Sequence, residues 1–146
     1  MDKVGELKKL LNTCKSTPLI VVGGTVEDFD FIDKTLVPAN IDKHVLFGSE
    51  DFYKECISNP LLLINGLDTI SMQEQEKFID LIEGRYVWMH KLPDSVQIVI
   101  TVKSKKKLSL EIQNLTWSWN LSTKEPLKRK NPTTKYSLQR IFFKSI

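Results

Sequence analysis

Two polar turns, each at the end of an aliphatic run, carry the residues with the best claim to reactivity. Leu19-Ile20-Val21-Val22 leads into Gly23-Gly24-Thr25, and Leu61-Leu62-Leu63-Ile64 leads into Asn65-Gly66-Leu67-Asp68. Glycines directly after a strand let backbone amides turn toward an anion. An acid at the end of a neighbouring strand supplies the oxygen that a divalent cation wants. Glycine turn plus acid is therefore a phosphate-and-metal toolkit, and here both halves are altered. A loop of the form G-x-x-x-x-G-K-[ST] needs a second glycine and a lysine to neutralise phosphate. Gly23 is instead followed by Gly24-Thr25-Val26-Glu27-Asp28-Phe29-Asp30-Phe31, which brings acids where polyphosphate would lie. Lys34-Thr35 imitates the ending but sits too far on, inside a pattern (Phe31, Ile32, Thr35, Leu36) that predicts a helix. A strand-to-helix turn capped by Thr25 is the simpler reading.

Other chemistries find fewer footholds. The sequence offers no Ser-His-Asp arrangement, no reactive Cys-His pair and no Cys/His metal cluster. His44 beside Lys43 and His90 beside Lys91 lack an acid, Cys or second His at ligand spacing. Cys14 and Cys56 read as buried free thiols of a reducing compartment. Glu50-Asp51, Asp28 and Asp30 read as helix starts. The expectation is no catalytic residue, no metal and no cofactor.

The elements that must position these turns alternate. Leu7, Leu10, Leu11 and Cys14 make one face of an amphipathic helix. Leu19–Val22, Leu61–Ile64 and Val96–Val102 lack polar alternation, the mark of strands buried on both faces. His44-Val45-Leu46-Phe47 reads as a short strand, and Asp51 to Ser58 as a helix stopped by Asn59-Pro60. Ser71 followed by Glu74 has capping-box spacing and opens a helix to about Glu83, with Gly84 as its stop. Ser109 to Leu115 reads as a short helix. Thr116 to Leu121 alternates like an edge strand that points Trp117 and Trp119 into the core rather than toward stacking bases. The predicted fold class is α/β: a three-layer parallel sheet of about five strands flanked by helices.

The 146 residues suit one domain, with 41% hydrophobic and 27% charged content. No apolar run is long enough to cross a bilayer, and the charged N-terminus lacks a signal-peptide core, so the cytoplasm is the expected location. Charge is uneven. Residues 1–102 hold 10 Lys and Arg against 16 Asp and Glu, and residues 103–146 hold 11 against 2. The division reads as a domain over 1–121 and a basic, proline-punctuated tail over 122–146, partly ordered or docking. Lys103, Lys105, Lys106, Lys107, Lys128, Arg129 and Lys130 are candidate nucleic-acid contacts, or a solvated basic face.

Leu61 to Asp68 resembles the Walker B strand of AAA+ ATPases of the clamp-loader type. The similarity continues through Glu76-Lys77-Phe78-Ile79-Asp80-Leu81-Ile82-Glu83, and into Leu92-Pro93-Asp94-Ser95-Val96-Gln97-Ile98-Val99-Ile100-Thr101, which is similar to the family's sensor-1 loop and strand. The resemblance places Gly23, Gly24 and Thr25 in the Walker A turn. It puts Asn65 where the magnesium-holding aspartate stands and Gly66 where the water-polarising glutamate stands. Asp68 falls on the acid that follows, and Thr101 on the sensor-1 position. It further implies that the connecting stretch containing Trp88 and Met89 is a hairpin or loop contacting DNA or a neighbour, although packing on the sheet edge accounts for those residues equally well. The family's lid has no counterpart after residue 121. What the resemblance implies is a non-catalytic module, like a delta-prime subunit or a helicase-loader core, acting by protein contacts in DNA replication or recombination. Its partner would be an ATPase, a replication or recombination protein, or a second copy, with DNA possible and no membrane. The alternative is a nucleic-acid-binding protein using the basic last third.

Overall fold

Twelve residues, Lys3–Cys14, form α1, started by Asp2, whose carboxylate accepts a hydrogen bond from the Gly5 amide at 2.8 Å. It leads to β1 (Leu19–Val22), a single 3-10 turn (Val26–Phe29) and β2 (Lys34–Pro38). Next come α2 (Lys43–Gly48), α3 (Glu50–Ser58) and β3 (Leu61–Asn65). A longer helical segment starts as α4 (Met72–Gln75), tightens to a 3-10 turn (Glu76–Phe78) and widens to a π turn (Asp80–Gly84). A hairpin of β4 (Tyr86–Val87) and β5 (His90–Lys91), then β6 (Gln97–Val102), α5 (Leu110–Leu115) and β7 (Trp117–Asn120) complete the chain as described. The computed structural model describes residues 2–123, so Lys128, Arg129, Lys130 and nearly all of the expected tail lie outside the described residues.

β2, β3, β6, β1 and β7 form, in that spatial order, one parallel sheet. This is the expected α/β class. Leu61, Leu62, Leu63 and Ile64 are each fully buried, because helices cover both faces of the strand. Ile20, Leu62, Ile64, Ile98 and Ile100 meet Leu46, Phe52, Phe78, Leu81 and Ile112 on one face. Leu19, Val21, Leu61, Leu63 and Val99 meet Leu7, Leu11, Phe29 and Trp119 on the other. Each such aliphatic side chain contributes about 1.5–3 kcal/mol on burial.

Three local expectations need correction. The helix expected through Phe31, Ile32, Thr35 and Leu36 is the edge strand β2, with Thr35 and Val37 buried and Leu36 and Pro38 exposed. Thr35 settles the matter: its hydroxyl donates to the Glu55 carbonyl at 3.0 Å and accepts from the Asn59 amide at 3.0 Å, fixing the strand's face. The strand expected at His44–Phe47 is the helix α2, because Asp42 caps it by accepting from the His44 amide at 2.8 Å. The helix from Ser71 starts on the expected cap, Ser71 accepting from the Glu74 amide, but it is not one regular α-helix. Its end also differs: Arg85, not Gly84, takes the left-handed conformation (φ 61°). Gly84 is needed for space, since a β-carbon there would sit 2.6 Å from the Tyr86 ring.

Candidate functional site

The connection from β1 to β2 passes over the face that α1 covers, where Phe29 packs with Leu7 and Lys3 pairs with Asp28 at 3.0 Å. The connections after β2, β3 and β6 pass over the other face, through Leu46, Phe78 and Ile112. Neighbouring strands β1 and β6 therefore send the chain in opposite directions at their carboxyl ends, which opens a crevice where α/β sheets hold ligands. That crevice has a volume of about 410 Å³.

Every position that the resemblance marks lines it. Gly23, Gly24 and Thr25 come from the β1 turn, Asn65, Gly66 and Asp68 from the end of β3, and Thr101 from β6. The glycines are there for geometry. Gly23 and Gly66 both have φ 82°, and their amides donate to Val102 and Thr101 carbonyls at 2.8 and 3.2 Å, so the turns extend the sheet's ladder. At Gly24 a β-carbon would lie 2.7 Å from Val21.

The polar side chains are bonded to one another rather than directed at the opening. Thr101, 1% exposed, donates its hydroxyl to the side-chain oxygen of Asn65 at 2.9 Å. One oxygen of Asp68 accepts from the amides of Lys103 and Ser104 at 2.9 and 3.0 Å, tying the end of β3 to the loop after β6. Asp28 turns back on its own loop, accepting from the amide and hydroxyl of Thr25 at 2.8 and 3.2 Å and pairing with Lys3. Burial pushes its carboxyl up, but the Thr25 amide, Lys3 and the Thr25 hydroxyl outweigh that and hold it below the ordinary carboxylate value.

After Gly24 the chain makes the single 3-10 turn Val26–Phe29, so the expected helix is absent and no stack of helix N-terminal amides faces the crevice. A lysine enters the lining from the β6 side, at Lys103, and not from the β1 turn. No group of three or more His, Cys, Asp or Glu residues placed to hold a metal ion occurs among the described residues.

The other candidates lie apart. Trp88 and Met89 are outside the crevice, at the turn of the β4–β5 hairpin, with φ 50° and 63°. Trp88 packs on Tyr53 and His90, with ring centroids 5.8 and 4.8 Å away, and its amide donates to the Leu46 carbonyl at 3.2 Å. Met89 is 86% exposed. The two open readings therefore divide between the residues: Trp88 packs and Met89 projects. Lys103, Lys106 and Lys107 are exposed at the carboxyl edge of the sheet, whereas Lys105 donates to the Ser118 hydroxyl at 2.9 Å. Cys14 and Cys56 are free and buried, their thiols pushed up to about 11 and about 12 by burial.

Two supporting residues escaped the sequence reading. Gln75 is fully buried; its amide donates to the carbonyls of Ile70 and Lys107, and its oxygen accepts from the Ser109 amide at 2.8 Å. Its spacing with Phe78 and Ile82, three and seven residues on, is the signal that puts it on the helical segment's inner face. Arg85 donates to the carbonyls of Ser16 at 3.1 Å, Pro93 at 2.7 Å and Val96. Burial lowers its guanidinium pKa, against an opposing pull from Asp94.

No family model and no curated protein matches the sequence. Among solved structures the fold is similar to that of a DNA polymerase III gamma subunit-related protein from Thermotoga maritima, with a TM-score of 0.51 and 10% sequence identity. The match covers 82% of this chain and 45% of that one, so this chain spans less than half of its neighbour's length. The likeness is one of fold. Among the described residues, no helix is long and apolar enough to cross a membrane.

Proposed function

We propose that this chain is a non-catalytic AAA+-like module, comparable to a clamp-loader subunit or a helicase-loader core, that acts in DNA replication or recombination through protein contacts. The observation that carries the reading is the Thr101–Asn65 hydrogen bond at the switch-point crevice. An amide oxygen already engaged by a hydroxyl stands where a metal-binding carboxylate would serve phosphoryl transfer. Around it, Asp68 is bonded to two backbone amides and the β1 turn lacks a lysine. These residues do not fit a magnesium triphosphate, and no hydrolytic step is routed through them. The clamp-loader-like neighbour supports the scaffold, and the process is assigned to this chain by that analogy alone.

Affinity capture of the tagged full chain from its native cell, followed by mass spectrometry, tests this assignment. Replication or recombination proteins, an ATPase among them, should co-purify in fixed proportion. Capture of metabolic enzymes with no replication or recombination protein would contradict it.

A further inference from the structure

We propose that the loop running from Lys103 to Lys107 is a contact site for the phosphate backbone of nucleic acid, with Lys103, Lys106 and Lys107 as the side chains that meet phosphate. The proposal is independent of what the crevice does or does not bind. All three lysines are exposed, and none forms an ion pair with another described residue. Four lysines in five consecutive positions repel one another, and the fold itself gains nothing from that repulsion. A polyanion relieves it.

The backbone beneath the lysines is already fixed. Asp68 holds the amides of Lys103 and Ser104, at 2.9 and 3.0 Å. Gln75, with no exposed surface, holds the carbonyl of Lys107 at 2.9 Å and the amide of Ser109 at 2.8 Å. Lys105 turns aside to Ser118 on β7, leaving the other three ammonium groups toward solvent. A loop tied at both ends loses little backbone freedom when its side chains engage a partner.

Nucleic acid is favoured over an acidic protein surface by what the loop omits. Protein interfaces are built around an apolar or aromatic centre. Here the residues that follow one another at the surface are lysines, Leu108 is buried, and the exposed Leu110 stands singly on α5. Contacts to phosphate need only positioned charge, and carry no sequence preference.

The test is fluorescence anisotropy of the full chain with a labelled mixed-sequence DNA, single-stranded and duplex, titrated between about 50 and 200 mM salt. Binding should weaken linearly on a log–log scale. The triple variant Lys103→Gln/Lys106→Gln/Lys107→Gln should bind about tenfold or more weakly and lose about 2–3 from the magnitude of the salt slope on duplex, near one for each phosphate released. Lys9→Gln/Lys91→Gln, which removes two exposed charges elsewhere, should leave both unchanged. If circular dichroism shows the triple variant unfolded, the single substitutions replace it, each lowering the slope by about one. The proposal is overturned by no binding at low salt or by wild-type affinity in the triple variant. It is equally overturned by a loss confined to Lys128→Gln/Arg129→Gln/Lys130→Gln, or by polyglutamate competing as well as DNA, which would make the partner an acidic protein.

Discussion

Thr101 and Asn65 face each other as register partners on β6 and β3, and the hydroxyl of the first donates to the side-chain oxygen of the second at 2.9 Å. Thr101 is buried and Asn65 is exposed, so the bond seals the inner end of the crevice while its outer partner meets solvent. Removing the acceptor strands a buried hydroxyl. Asn65→Ala should destabilise the chain by about 1–2 kcal/mol, read from urea unfolding midpoints at constant slope. Asn65→Asp keeps an acceptor and should stay nearer the wild type. Equal loss in both variants would show that the hydrogen bond is not what Asn65 contributes.

Gln75 presents a larger liability, because one buried side chain satisfies backbone groups on two segments. Gln75→Met fills a similar volume but orphans the Ser109 amide and the Lys107 carbonyl. The expected loss is about 2–4 kcal/mol, at about 1–3 kcal/mol for each unsatisfied group. Hydrogen exchange at Ser109 should rise more than at Leu63. Unchanged stability would mean that water replaces the side chain.

Acid should act through Asp28. Its folded pKa lies below its unfolded one, so its share of stability is present above the unfolded value of about 3.9 and is lost as pH falls through the folded value. Asp28→Asn removes that share, and Lys3→Ala removes part of it. Chemical denaturation from pH 6 downward should therefore show a shallower acid decline in Asp28→Asn than in the wild type. Parallel declines would remove Asp28 from the account.

The hairpin turn is strained by its residues. Both central positions have positive φ, the geometry of a type I′ turn that favours Asn-Gly, yet they are Trp88 and Met89. Met89→Gly relieves the second position and, because Met89 projects into solvent, gives up little packing. A gain of about 0.5–1 kcal/mol is expected, offset in part by the freer unfolded chain. A loss of stability would place Met89 in a contact that its exposure does not reveal.

The parts of the fold that were legible in the sequence are those where one physical signal acts alone. Leu61–Ile64 has no polar residue to alternate with, so a two-sided burial was readable at once. Ser71 and Glu74 carry a cap in two letters. Legibility failed where short segments satisfy two periods. Phe31, Ile32, Thr35 and Leu36 match a helix, but Thr35 finds partners in Glu55 and Asn59, distant in sequence, and these decide for a strand. His44–Phe47 is as apolar as a strand, and only Asp42, one turn earlier, marks a helix start. At the crevice, the lining positions followed from their places at strand ends. Their mutual hydrogen bonds did not, since they depend on the register of β3 against β6.

The central claim is that the crevice between β1 and β6 keeps the placement of a nucleotide site without the charges to hold one. Calorimetric titration of the full chain with magnesium and ATP tests it most directly. The account predicts no saturable heat for the wild type and none for Asp68→Ala. A one-to-one binding isotherm in the wild type, abolished by Asp68→Ala in a variant that remains folded, would contradict it.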